Sequence, residues 1–153
     1  MISPVTVDDV TTIKAIAETV ILTSVTASDA LKQEIIEDTY HHIDVSLAEA
    51  GHTFLKYEDE GIIGFILLRN GWNLSDLFVL PSQHGKGIGR ALFAVARNKI
   101  LSEENRGYIR VNSSLNAVNF YHKLGFKDFK PEHPCPDFVV PLIHTLPIQS
   151  LVR

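Results

Sequence analysis

Residues 77–93, LFVLPSQHGKGIGRALF, run from an apolar strand-like stretch through a proline and three alternating glycines into the start of an amphipathic helix. Gly85, Gly87 and Gly89 leave the loop almost free of side-chain bulk, with Lys86 its one lysine. Glycines let a backbone come close to a ligand, and the helix behind them offers unpaired N–H groups and a positive dipole end. The loop is therefore suited to an anion, and most economically to a phosphate. Two phosphate motifs do not fit. A Walker loop, G-x-x-x-x-G-K-[ST], needs its lysine elsewhere than Lys86. A dinucleotide turn comes early in a βαβ unit with an acid ~20 residues on. Here the loop is preceded by two expected helices and three expected strands, and Glu103 and Glu104 fall at the end of the next helix.

The surrounding pattern predicts a single α/β domain over residues 1–153, a mixed, mostly antiparallel twisted sheet with helices on both faces. Val10, Ile13, Ala17, Val20 and Ile21 predict a helix over 8–24. A second is expected over 28–50, with Ser28 as its cap and Gly51 as its stop. Residues 52–58 and 62–69 read as a hairpin turning at Asp59-Glu60-Gly61, and 72–80 as the strand entering the glycine loop. Ala91, Leu92, Val95 and Ala96 predict a helix from Ile88 to about residue 104. A strand over 107–114, a helix over 115–124 and two short strands around KPEHPCP complete the chain.

At 153 residues, the chain has the usual size of one domain. Its longest apolar runs fall well short of the ~20 residues that span a bilayer. The start, MISPVTVDDV, lacks the basic and apolar parts of a signal peptide. Cys135 has no second cysteine to pair with, so a cytoplasmic protein is expected. Residues 1–60 hold 12 acids against three lysines, whereas 61–153 hold 11 bases against 6 acids. That division suits a cationic ligand on one side and an anionic one on the other. With a net charge of -4 and no dense basic cluster, nucleic acid is not expected as a partner.

A second motif sharpens the first. VNSSLNAVNFYHKLGF, residues 111–126, follows VLPSQHGKGIGRAL by some 20 residues. Together they resemble the GNAT superfamily of acetyl-CoA-dependent N-acetyltransferases, with its V-x-P-x-x-[RQ]-G-x-G-[IL]-G and N-A-x-x-F-Y-x-x-x-G-F motifs. The resemblance implies a coenzyme A cleft between two splayed strands, 76–80 and 108–112. It implies that acetyl-CoA, as co-substrate and with no metal, is bound by backbone at Phe78 and Val79 and by His84, Gly85, Lys86, Gly87, Ile88, Gly89 and Arg90. Ser114 and Asn116 are further expected contacts, although Ser114 could equally cap the following helix. His84 departs from the family's Arg or Gln. Protonated, it could donate to phosphate and tighten coenzyme binding as pH falls.

By the same resemblance, Tyr121 matches the tyrosine that protonates the leaving thiolate; a core aromatic is the plain alternative. A base is needed because bringing an alkylamine to its neutral form at pH 7 costs ~4.6 kcal/mol. Asp76 is the only acid on the strand before the loop, and Ser75 stands where several family members have a second acid. Asp76 could instead orient a cationic acceptor or end the sheet. His41 and His42, near Asp38 and Asp44, point to different helix faces and suit an acceptor pocket better than a metal. Cys135 lacks a partner motif for nucleophilic chemistry.

The expected activity is acetyl transfer from acetyl-CoA to a primary amine of a small molecule or protein by direct attack through a tetrahedral intermediate, in a monomer or homodimer without membrane partners. The alternative is a non-catalytic acyl-CoA-binding module of the same fold. A different acyl donor, such as succinyl-CoA, is a third.

Overall fold

A computed structural model describes residues 1–147. Seven strands form one sheet in the order β1-β2-β3-β4-β5-β7-β6. They are β1 (Ile2–Pro4), β2 (Thr53–Glu58), β3 (Ile62–Arg69), β4 (Asn73–Val79), β5 (Tyr108–Ser114), β6 (Lys127–Asp128) and β7 (Val139–Thr145). The helices are α1 (Val10–Ser24), α2 (Asp29–Ala48), α3 (Ile88–Leu101) and α4 (Val118–Lys123). Every strand pairing is antiparallel except β4 with β5. β1 escapes the sequence pattern because three residues carry no usable alternation, and its Pro4 is tolerated on an edge strand.

Local chemistry sets most boundaries. Asp9 Oδ2 accepts from the Thr6 N–H at 2.8 Å and pins the entry to α1, while Ser28 Oγ accepts from the Leu31 N–H at 3.2 Å and caps α2. The β2–β3 turn closes through the Asp59 N–H on the Gly61 carbonyl, with Glu60 and Gly61 at positive φ. Two expectations need correction. In α3 the buried row is Ile88, Leu92, Phe93, Ala96 and Ile100, leaving Val95 42% exposed and off the packed face. α4 begins at Val118 rather than 115, and Ser114 does not cap it. Its main-chain carbonyl instead accepts from the Ala117 N–H at 3.1 Å, which closes a turn over residues 115–117.

Two cores lie on opposite faces of the sheet. One joins α1 and α2 to Phe54, Phe65 and Leu67. The other joins α3 and α4 to Ile66, Leu68, Leu74, Ile109 and Val111. β4 changes face part-way along. Leu67 lies opposite Asp76 but Leu68 opposite Leu74, so Ser75 is an extra residue, a bulge. Consequently Leu74 and Leu77, three apart, both pack on the α3–α4 side, while Phe78 packs on the α1–α2 side. Asp76, two residues before Phe78, shares its face.

Candidate active site

β4 and β5 pair only at Asn73 with Arg110 and Leu74 with Val111, then part. The Leu80 N–H donates to the Ile63 carbonyl at 2.9 Å, which sets the phase of the β3–β4 ladder. By the alternation of an antiparallel pair, Asp76 and Phe78 direct their main-chain groups at β3. Leu77 and Val79 direct theirs into the gap. Phe78, expected at the coenzyme, thus spends its main chain on β3 and its ring on Phe65, 5.7 Å away. Leu77 has the free main-chain groups instead. Sequence reasoning missed it because its orientation depends on the register with β3.

The glycine loop opens at the wide end of this gap. Gly85 and Gly87 have φ of +82° and +78°, and a side chain at either would meet open space. Among the described residues, the N–H groups of Gly85 through Arg90 find no backbone or side-chain acceptor, while the Ala91 N–H returns to the Gly87 carbonyl. Six donors at the start of α3, with no bulk in front of them, form a cradle that fits a pyrophosphate. Gly89 serves packing as well, since a Cβ there would lie 3.0 Å from the Phe120 ring. Lys86 reaches Gln83 at 2.9 Å, and Arg90 is exposed.

His84 turns back toward the gap, its Nε2 2.8 Å from the Val79 carbonyl oxygen. A carbonyl only accepts, so Nε2 carries the proton and donates. Neutral His84 then has only an acceptor, Nδ1, left for a ligand. Asn116 donates its side-chain amide to the Ser24 carbonyl at the end of α1, joining the two lips of the cleft.

Asp76 on β4 and Tyr121 on α4 are 5% and 6% exposed, and they lie close enough for the Asp76 charge to act on the phenol. Burial pushes the Asp76 carboxyl up to about 7, against smaller lowering by the Ser75 hydroxyl and the Arg69 charge. Ser75 Oγ donates to Asp76 Oδ2 at 3.1 Å. Burial also holds the Tyr121 phenol well above its ordinary value, and the Asp76 charge adds to it. Tyr121 packs edge-on against Phe120 and Phe126, so it is a core aromatic as well as a candidate acid.

His41 is exposed and His42 half-buried, where burial first and the Arg69 charge second lower the His42 imidazole pKa. Among the described residues, no three His, Cys, Asp or Glu side chains gather as metal ligands. No described helix is long and apolar enough to cross a membrane.

A parallel pair that splays ahead of a glycine loop at the start of a helix is the backbone arrangement that the first motif leads one to expect. The acetyltransferase (GNAT) domain profile matches residues 14–134. The chain belongs to the GNAT acetyltransferase family. GNAT proteins pair acetyl-CoA with an acceptor substrate, and the cradle here suits that coenzyme. Solved GNAT structures share the fold. A GCN5-related N-acetyltransferase from Rhodopseudomonas palustris superposes with a TM-score of 0.76 at 20% identity, covering 95% of each chain. The PaiA N-acetyltransferase of Thermoplasma acidophilum, solved with coenzyme A, gives 0.74 at 22% identity over 95% of this chain and 98% of its own. An aminoglycoside 6'-N-acetyltransferase, also with coenzyme A, gives 0.70 at 16% identity over 98% and 99%. No curated protein matches the chain by sequence.

Proposed function

We propose that this GNAT protein transfers an acetyl group from acetyl-CoA to a primary amine of a small molecule or protein by direct attack, with Asp76 as base and Tyr121 as acid. The observation that carries the reading is the buried pair itself: a carboxyl poised at about 7 beside a phenol kept protonated. Burial raises both, which brings the carboxyl into the range of a base at neutral pH and keeps the phenol a proton donor.

Acetyl-CoA supplies a thioester whose carbon accepts the amine and whose sulfur leaves with a proton. The main-chain N–H groups of Gly85 to Arg90 hold the diphosphate. The Val79 N–H, turned into the gap, serves as a donor to the acyl oxygen as charge gathers there. Asp76, half ionised near neutral pH, takes the proton that the attacking amine must lose. Tyr121 gives its proton to the sulfur and recovers one from solvent.

Thiol release with an amine panel, measured from pH 5.5 to 9, tests this. Below about 7, kcat/KM should fall about tenfold per pH unit as Asp76 gains its proton. Asp76→Asn should lower the whole profile. Acetyl-CoA binding without turnover on any amine would make the protein an acyl-CoA-binding module instead.

A further inference from the structure

We propose that the amine acceptor also carries an oxyanion, a carboxylate or a phosphate, held between Arg69 and Arg110. This inference rests on the acetyl-transfer reading of the same site. Asn73 lies opposite Arg69 on β3 and opposite Arg110 on β5, so the three form one row across the sheet. Ile66 and Leu68 pack in the α3–α4 core, as do Ile109 and Val111. By strand alternation, Arg69 and Arg110 both face the other side, the side of Asp76. Adjacent strands are about 4.8 Å apart, which puts the two arginine Cα atoms about 10 Å apart, a span that two guanidinium stems can close around one anion.

Among the described residues, neither arginine is in ion-pair contact with an acid, although the Arg69 charge reaches Asp76. Arg69 Nε is buried and has no hydrogen-bond partner. A buried donor left unsatisfied is costly, and a site that keeps one is shaped for a ligand atom that accepts. Arg110 is positioned by rings rather than by an acid, 4.4 Å from the Phe129 ring centroid and 5.9 Å from that of Trp72. That stacking leaves the edge of the guanidinium fork free for a ligand.

Room for the acceptor is present beside it. A pocket of about 510 Å³ opens over Arg110 and Asn112 under the loop 129–136. This lies within the usual range for small-ligand sites. Its lining carries Arg110 and Lys130 against one acid, Glu132. Four of the twelve acids of the N-terminal half are already engaged: Asp9 and Glu58 with Lys56, Asp44 with Lys14, Glu18 with Tyr40. The side chains lining this pocket therefore carry a net positive charge. An amine with an oxyanion at its other end satisfies both parts of the site; a polyamine sets a second cation against two arginines.

The test uses aminoalkyl carboxylates, aminoalkyl phosphates, and alkylamines and diamines of equal length. Calorimetric binding to the protein–coenzyme A complex is measured alongside thiol release from acetyl-CoA. Acid-bearing amines should bind about tenfold more tightly than the matched alkylamines, with a matching gain in kcat/KM. Arg69→Gln and Arg110→Gln should each erase that margin, with coenzyme affinity, measured alongside, confirming that both variants fold. The carboxylate and phosphate arms tell which oxyanion the site takes. A preference for alkylamines or diamines, failure of every acid-bearing probe to bind, or a margin that survives both variants would overturn the inference. If wild type does not bind acetyl-CoA, the acetyl-transfer reading falls and takes this one with it. If it acetylates plain amines with no margin, only this inference falls.

Discussion

The two ends of β4 work by different chemistry. At the glycine-loop end the groups offered to a ligand are main-chain N–H groups: the six of Gly85 to Arg90 and those of Leu77 and Val79 in the gap. Around Ser75 the groups are side chains: the buried Asp76 and Tyr121, whose hold on their protons burial strengthens, and the half-buried Arg69 with its enclosed Nε. A backbone site tolerates most side-chain changes that leave its shape alone. The side-chain end is sensitive to any change of charge, and in the proposed reaction it is the end that would select the acceptor.

Substitutions can break this contrast in order of effect. Gly87→Glu adds bulk and a negative charge at φ +78° in front of the cradle, so acetyl-CoA affinity measured by calorimetry should fall about 100-fold or more. Asp76→Asn removes the base and should cost about 100-fold in kcat with coenzyme affinity kept.

The same substitution tests the environment through stability. Asp76 is raised from 3.8 to about 7 on folding, so the folded state binds the extra proton between those values. Stability is therefore lost as pH rises through that window, by up to about 4 kcal/mol from this group. Melting temperatures should show Asp76→Asn more stable than wild type at pH 8, with the difference vanishing near pH 4. An equal difference at both pH values would mean that the carboxyl is solvated.

Tyr121→Phe should reduce kcat by about 10- to 100-fold and leave coenzyme binding and the melting temperature near wild type, since the ring packing on Phe120 and Phe126 is kept. Smallest of all, His84→Gln keeps a donor able to reach the Val79 carbonyl and should change acetyl-CoA affinity by less than about threefold. A large loss there would show that His84 contributes more than that one bond.

What the sequence reveals follows the same division. Main-chain sites need glycines at fixed places, so the cradle and the α3 entry are legible in GKGIG, and Tyr121 in NAVNFYHKLGF. The strands and helices around them follow from periodicity. Val95 is an exception because one apolar residue on a helix rim satisfies the same spacing as a buried one. Leu77 and Arg69 could not be found in that way. Which way Leu77 points its main chain is decided by the pairing of Leu80 with Ile63, and the want of a partner for Arg69 is a fact of packing. Asp76 was legible as the one acid on the strand before the loop, but its elevated pKa arises from burial that no local pattern records.

The bulge at Ser75 acts as a frame shift within a single strand. Were Ser75 paired in regular alternation instead of bulged, Leu77 would turn to the side that Asp76 now faces, and Asp76 would turn into the apolar layer under α3. The one unpaired residue thus lets a single strand serve both layers, giving its leucines to one side and its carboxyl to the other.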